Sequence, residues 1–532
     1  MRIIALAVVL IFAVVAGKPL LDGGDAVRDL AREPPHISQA GQTDVTGGCP
    51  SQELPAHGAP IQGSVGLRAG GHEACGNIGM LAPRVFTLTD GATGLPLQGP
   101  PGLNAGAGGL EFSISPDNHL LVVPTDSKLD VIDLQSWSQV FAVDFPEGVP
   151  LAPKAWSAEG AKLYLRLGWA SRMRTGPSVY NDRRIWELDV TSGTLTRLPD
   201  LPFDSLLHLA VSDDGRRLYS LAFDRADTPW TAGIGNGSAS GHGWVVKGEP
   251  FLSVVEIGSG RELDRIPLPG LQLGEAEDGV TREPAAVLDG AAGRYYIVHA
   301  DSDAVTVVDL VTRDVVTALA AARPRDSLPR RLLGSLRSLL VTTAEAKGSG
   351  FQGRQAALSG DGSLLFVTGM EQVSADVDDA NDETSGATPA GLRVIDTRTL
   401  KVLHREDGIS EFVLSEDGRN LFGIGHASYF RNGWAPQDGA GLKVLDLRTL
   451  TLAAQVEAGR AYLNIALTRD GRYLHLTSEG PGRDRMRREG LGTCGEPCIE
   501  LLVDVVEVES LKLVARHESS VSMEPISRWN TP

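Results

Sequence analysis

Cysteine is scarce in this chain, at four residues in 532, and no CxxCH is present, which excludes a covalently attached c-type haem. Positive charge is in deficit. Lys and Arg total 49 against 67 Asp and Glu, a formal net charge of −18. An acidic surface repels phosphate backbones, so nucleic acid is not expected as a partner. Long apolar runs are missing after residue 16. No later segment offers the roughly 20 apolar residues that a spanning helix needs, so no transmembrane span is expected once the first segment is removed. GxSxG, HExxH and P-loop motifs are absent, and GIGNG in 224–250 has no helix after it to make a phosphate cradle. Nothing in the sequence nominates a Ser–His–Asp triad.

The first sixteen residues read as a signal peptide. Arg2 is followed by the apolar run IIALAVVLIFAVVA, Ala16 and Val14 suit a cleavage site, and Gly17 would be the first mature residue. The competing reading is an uncleaved short anchor. Export implies a secreted, periplasmic or cell-surface protein and an oxidising compartment. Four cysteines allow three pairings. Cys49–Cys75 and Cys494–Cys498 are favoured because short loops close at low entropic cost. A metal site built from all four remains the alternative, although the spacings are irregular.

Glycine, at 62 residues, is abundant and punctuates short apolar runs, as in an all-β protein. Residues 17–80 form a Gly- and Pro-rich leader without clear strands. From there to residue 532, one unit repeats. Its first half is an apolar strand, a polar turn and a second strand: FSISPDNHLLVV from Phe112, AWSAEGAKLYLRL from Ala155, LAVSDDGRRLYSLAF from Leu209, AVLDGAAGRYYIVHA from Ala286, AALSGDGSLLFVTG from Ala356, FVLSEDGRNLFGIG from Phe412 and IALTRDGRYLHLTS from Ile465. Asp-Gly and its relatives suit tight hairpins. Each second half is an alternating strand ending in an acidic residue, a short turn and another strand. The acids are Asp133, Asp189, Glu256, Asp309, Asp396, Asp446 and Glu507. A carboxylate there is expected to accept backbone N–H bonds from the turn.

Four strands in each of seven units predict a seven-bladed β-propeller spanning 81–532. An unpaired second half, PRVFTLTDGATGLPLQ from Pro83, leaves eight blades as the alternative, with the tail SVSMEPISRW as an innermost strand of the extra sheet. The SxDGxxLxV and VxVxDxxT patterns resemble YVTN-type propeller repeats, relatives of WD40 and amine-dehydrogenase heavy-chain propellers, over about residues 83–516. The resemblance implies a central channel and a ligand site at its mouth, and it transfers no catalytic residue.

The turns inside each half are short, and the extra length falls in 168–182, 224–250, 322–353, 370–390, 427–440 and 479–499. In a meander these connections leave from one face, so that face is expected to bind. Its candidate ligand-binding residues are Trp169, Arg172, Trp230, His242, Trp244, Tyr429, Arg431 and Trp434, aromatics and cations suited to stacking on a sugar, a ring or a peptide. Leucines at helical spacing in LPRRLLGSLRSLL predict a short basic helix within 322–353. Asp126, Asp224, Asp301, Glu371, His426 and Glu479, with His299 nearby, fall just past the second strands. Of these, His299, Glu371, His426 and Glu479 form the candidate metal site, for a divalent ion such as calcium. DVDDANDE at 376–383 lacks EF-hand spacing and reads as a solvated loop. The expected function is an extracytoplasmic binding or scaffold module for a protein, glycan or small ligand. The alternative is an enzyme at the channel mouth, either a lactonase-like hydrolase or a quinoprotein-dehydrogenase-type subunit.

Overall fold

The computed structural model describes residues 64–71, 84–98, 112–125, 127–146, 151–167, 183–225, 246–275, 280–319, 350–374, 385–425, 428–430, 433–435, 440–479, 501–519 and 522–525. All of them lie in the unit Ser51–Pro532; the unit Met1–Pro50 is outside the described residues. The described elements are all strands, arranged in eight sheets. No helix among them is long and apolar enough to cross a membrane.

Seven sheets correspond to the seven sequence repeats, each a four-stranded antiparallel meander at its centre. Sheet 1 is Ser113–Ile114, Leu120–Pro124, Lys128–Asp133 and Ser138–Asp144. Sheet 2 is Leu151–Trp156, Lys162–Leu167, Trp186–Asp189 and Thr194–Arg197. Sheet 3 is Ser205–Val211, Arg217–Arg225, Val246–Glu256 and Glu262–Pro267. Sheet 4 is Ala285–Asp289, Arg294–Val298, Ala304–Asp309 and Val315–Leu319. Sheet 5 is built on Gly350–Leu358, Leu364–Ser374, Leu392–Asp396 and Val402–Glu406. Sheet 6 is Glu411–Leu414, Asn420–Ile424, Leu442–Asp446 and Thr451–Val456. Sheet 7 is Asn464–Leu467, Tyr473–Glu479, Leu501–Glu507 and Lys512–Ser519.

The eighth sheet joins distant parts of the sequence. Pro96–Gln98, Arg84–Asp90 and Val65–Gly71 pair in order, and Val65–Gly71 then pairs with Ser522–Pro525, Arg68 opposite Pro525. The half-motif from Pro83 and the tail therefore share a sheet, as the eight-sheet alternative requires. Val65–Gly71 falls inside the stretch read as leader. Its sequence, VGLRAGG, has one β-branched residue and three glycines, so strand propensity gave no signal there.

The turns follow from their side chains. In the first-half turns of sheets 1, 3, 5, 6 and 7 a Ser or Thr and an Asp bond each other and the backbone. Ser115 Oγ donates to Asp117 and accepts from the Leu120 N–H, and Ser359, Ser415 and Thr468 repeat this scheme. In the second-half turns Asp133, Asp189, Asp309, Asp396 and Asp446 each accept one or two backbone N–H bonds, as expected, and Asp90 does the same in sheet 8. Glu256 and Glu507, one methylene longer, take a serine hydroxyl instead. Four residues past each acid the backbone is left-handed: Gly94, Trp137, Gly193, Gly260, Arg313, Leu400, Leu450 and Leu511. A non-glycine there costs roughly 1–2 kcal/mol. The carboxylate bonds and the burial of Trp137, which is 2% exposed, offset that cost.

Alternate residues of each strand point to opposite neighbours. Tyr295 packs with Tyr219 and Leu252 of sheet 3, whereas Tyr296 packs with Leu365 and Val367 of sheet 5. Equivalent apolar clusters join sheets 1 and 2, 2 and 3, 5 and 6, and 6 and 7. Val65, Leu67 and Leu88 of sheet 8 pack with Ile114, Leu121 and Val123 of sheet 1. Between sheets 7 and 8 the described contacts are largely polar. Buried His475 meets the Gly91 carbonyl through Nε2 at 2.9 Å, Ser64 Oγ donates to Asp470 at 2.7 Å, and Arg469 N donates to the Val65 carbonyl. Gly66 makes room for that imidazole, since a Cβ there would lie 2.7 Å from His475 Cε1.

Candidate functional site

In sheets 1 to 7 the first-to-second and third-to-fourth strand turns are tight, so the extra chain lies at the other ends of the strands. There the second-to-third connections of sheets 1 and 4 are short, at 125–127 and 299–303, and those of sheets 2, 3, 5, 6 and 7 are long. Two of the expected loops begin as strand. In sheet 3 the second and third strands stay paired out to Arg225 opposite Val246. In sheet 5 the hairpin continues, with Met370–Ser374 paired to Ser385–Pro389.

The added strands build a common ledge. Ser428–Phe430, from the sheet 6 insertion, pairs with Ser385–Pro389 and with Gly433–Ala435. On the other flank Val280–Glu283, from the connection between sheets 3 and 4, runs parallel to Gly350–Gly353 and pairs with Gly274–Glu275. Insertions from three connections thus share the nine-stranded sheet 5. Tyr429 and Trp434, two of the expected ligand-binding residues, are directly opposite in register within it. Trp169, Arg172, Trp230, His242, Trp244 and Arg431 lie outside the described residues, as do His426, Asp126, the basic leucine-rich segment, 376–383 and all four cysteines. Glu479 ends the second strand of sheet 7.

Under this ledge lies a buried ionic cluster joining sheets 4 and 5. The Arg354 side chain, 2% exposed, donates through Nη2 to Glu371 Oε1 at 3.2 Å and through Nη1 to the Met370 carbonyl. The Arg393 side chain, 4% exposed, donates to Asp303 Oδ1 at 2.7 Å, and Arg405 Nη1 lies 3.8 Å from Asp303 Oδ2. Burial lowers both guanidinium pKa values, Arg393 to about 10, with the neighbouring carboxylates opposing. His299 Nε2 meets Thr306 Oγ1 at 2.8 Å, and its Nδ1 is 3.9 Å from Asp301. Burial pushes this imidazole below its ordinary range, with Asp301 opposing.

Two of the acidic positions read as a metal ring are engaged by arginines. Glu371 is bound by Arg354, and Asp224 by Arg265, whose guanidinium also stacks on Phe251 at 4.0 Å. Among the described residues no group of three or more His, Cys, Asp or Glu is placed to hold a metal ion. Sequence reasoning missed Arg354, Arg393 and Arg405. Of these only Arg393 stands out locally, as a cation in the apolar run LRVI. No protein-family model and no curated protein matches this chain.

Proposed function

We propose that the chain is an exported β-propeller of eight four-stranded blades, acting as a binding or scaffold module through its loop-bearing side. The ring is supported by the succession of apolar clusters between consecutive sheets and by the cluster that packs sheet 8 on sheet 1. The count of eight, rather than the expected seven, is favoured by the sheet formed from Arg84–Asp90 and Ser522–Pro525. The apolar run at 3–16 favours a secreted, periplasmic or cell-surface location.

One observation carries the functional reading: three insertions that leave different connections are hydrogen-bonded into one sheet on the side where all the added length lies. Loops that merely drift need no shared backbone pairing, whereas a recognition surface needs a rigid platform. The ligand class that suits the aromatic and cationic residues of these loops is a glycan or a peptide.

The test uses the full mature chain on a glycan array and on an array of extended peptides. One variant replaces 226–245 with a short Gly-Ser linker, and a second carries Trp434→Ala. Capture that is lost in both variants, with unchanged circular dichroism, is the expected result. Capture equal to wild type in both would remove the loop-bearing side from the reading.

A further inference from the structure

The fourth strand of each sheet is an edge, with one row of N–H and C=O groups unused by its own sheet. Such edges invite pairing with another strand unless a bulge, a charge or a proline blunts them. Six of the eight edges carry a bulge at one position, seven residues past the acid of the third strand: Leu97, Val140, Leu263, Leu403, Ala453 and Val514 are each skipped in the ladder. A bulge bends the strand and breaks the regular spacing that a partner would need. Thr194–Arg197 in sheet 2 has no bulge, but it is four residues long and ends on Arg197, which is ion-paired with Asp200.

Val315–Leu319 in sheet 4 has none of these devices. Its five residues, VVTAL, pair in unbroken register with Ala304–Val308 and carry no charge and no proline. Val316 is 55% exposed, and Val311 in the preceding turn is 83% exposed. The N–H of Asp309 donates to the Asp314 carbonyl. Antiparallel alternation from that bond turns the N–H and C=O of Val315, Thr317 and Leu319 away from the sheet.

We infer that this edge is a self-association surface, on which Val315–Leu319 pairs antiparallel with the same strand of a second copy of the chain. The strand fits itself. A two-fold axis at Thr317 puts Thr317 opposite its counterpart, and Val315 opposite Leu319 of the copy. About six main-chain hydrogen bonds would form across such a pair. Only uncharged residues of the two strands face one another, so the seam sets no like charges together in a chain with a net charge of −18.

The test is sedimentation velocity of the full mature chain over a range of micromolar concentrations. Val316→Lys places a charge beside the seam. Val315→Pro removes one outward N–H at the first residue of the strand, where the sheet's own ladder loses nothing. Leu403→Lys, on a bulged edge, is the control. A concentration-dependent dimer in wild type and Leu403→Lys, weakened at least tenfold in both sheet 4 variants with unchanged circular dichroism, is the expected result. A wild-type chain that stays monomeric throughout would overturn the inference, and so would a dimer indifferent to both sheet 4 substitutions.

Discussion

Replacing Asp303 with Asn tests whether the ionic cluster holds sheets 4 and 5 together. Arg393 is 4% exposed at its side chain, and Asp303 Oδ1 is 2.7 Å away. Removing one partner of a fully buried pair costs roughly 3–5 kcal/mol, because the other charge stays desolvated. Asp303 is itself 26% exposed, so water partly replaces the lost carboxylate, and a loss of about 2 kcal/mol is expected. Urea unfolding followed by circular dichroism would measure it for Asp303→Asn, Arg393→Met and the double variant. The double variant should be less destabilised than the sum, with a coupling energy above about 1 kcal/mol. Arg197 and Asp200 form the control pair, exposed at 53% and 54%, and their coupling should stay under about 0.5 kcal/mol. If the two pairs gave the same coupling, the cluster would be a solvated surface contact and the argument from burial would fail.

Asp361 accepts bonds from Ser359, Ser363 and the Ser363 N–H, which hold its carboxyl at about 2, below the ordinary aspartate value. A depressed folded-state pKa adds stability above the unfolded value, and this is lost as pH falls towards the folded one. Asp361→Ala should therefore cost about 1 kcal/mol at neutral pH, discounted for exposure. The gap to wild type in thermal melts should close between the ordinary carboxylate range and about pH 2; a gap independent of pH would contradict the turn chemistry. Ending the chain after Ser519 removes the strand that covers Val65–Gly71 in sheet 8. Limited proteolysis should then cut near residues 65–98 earlier than elsewhere, and an unchanged cleavage pattern would count against sheet 8 as an integral part of the fold.

The repeats were legible because each half obeys local rules: period-two apolar strands, a Ser/Thr–Asp turn, an acid before a left-handed residue. The half-motif from Pro83 was legible for the same reason. Val65–Gly71 was not, since its glycines carry no strand signal and its pairing is set by the tail. The Arg393–Asp303 pair joins residues 90 positions apart, and nothing local marks either as a partner. The ledge escaped notice because the pairing of Ser428–Phe430 with Ser385–Pro389 depends on two insertions meeting in space. The bulges on the fourth strands recur seven residues after six of the eight acids, but an extra residue in a strand has no side-chain signature.

Sheet 8 also gives the chain a clock. Among the described strands, Val65–Gly71 and Arg84–Asp90 are synthesised first and Ser522–Pro525 last. During synthesis those early strands must persist with one edge uncovered while seven other sheets form. Loop closure over so long a separation is slow, and waiting edges are open to mispairing. The polar contacts between sheets 7 and 8 suit that order of events. A surface of hydrogen bonds and a buried imidazole can stay hydrated until its neighbour arrives, whereas an apolar face exposed for the same interval would recruit whatever was nearest. Completion of the final strand thus separates a finished molecule from an unfinished one.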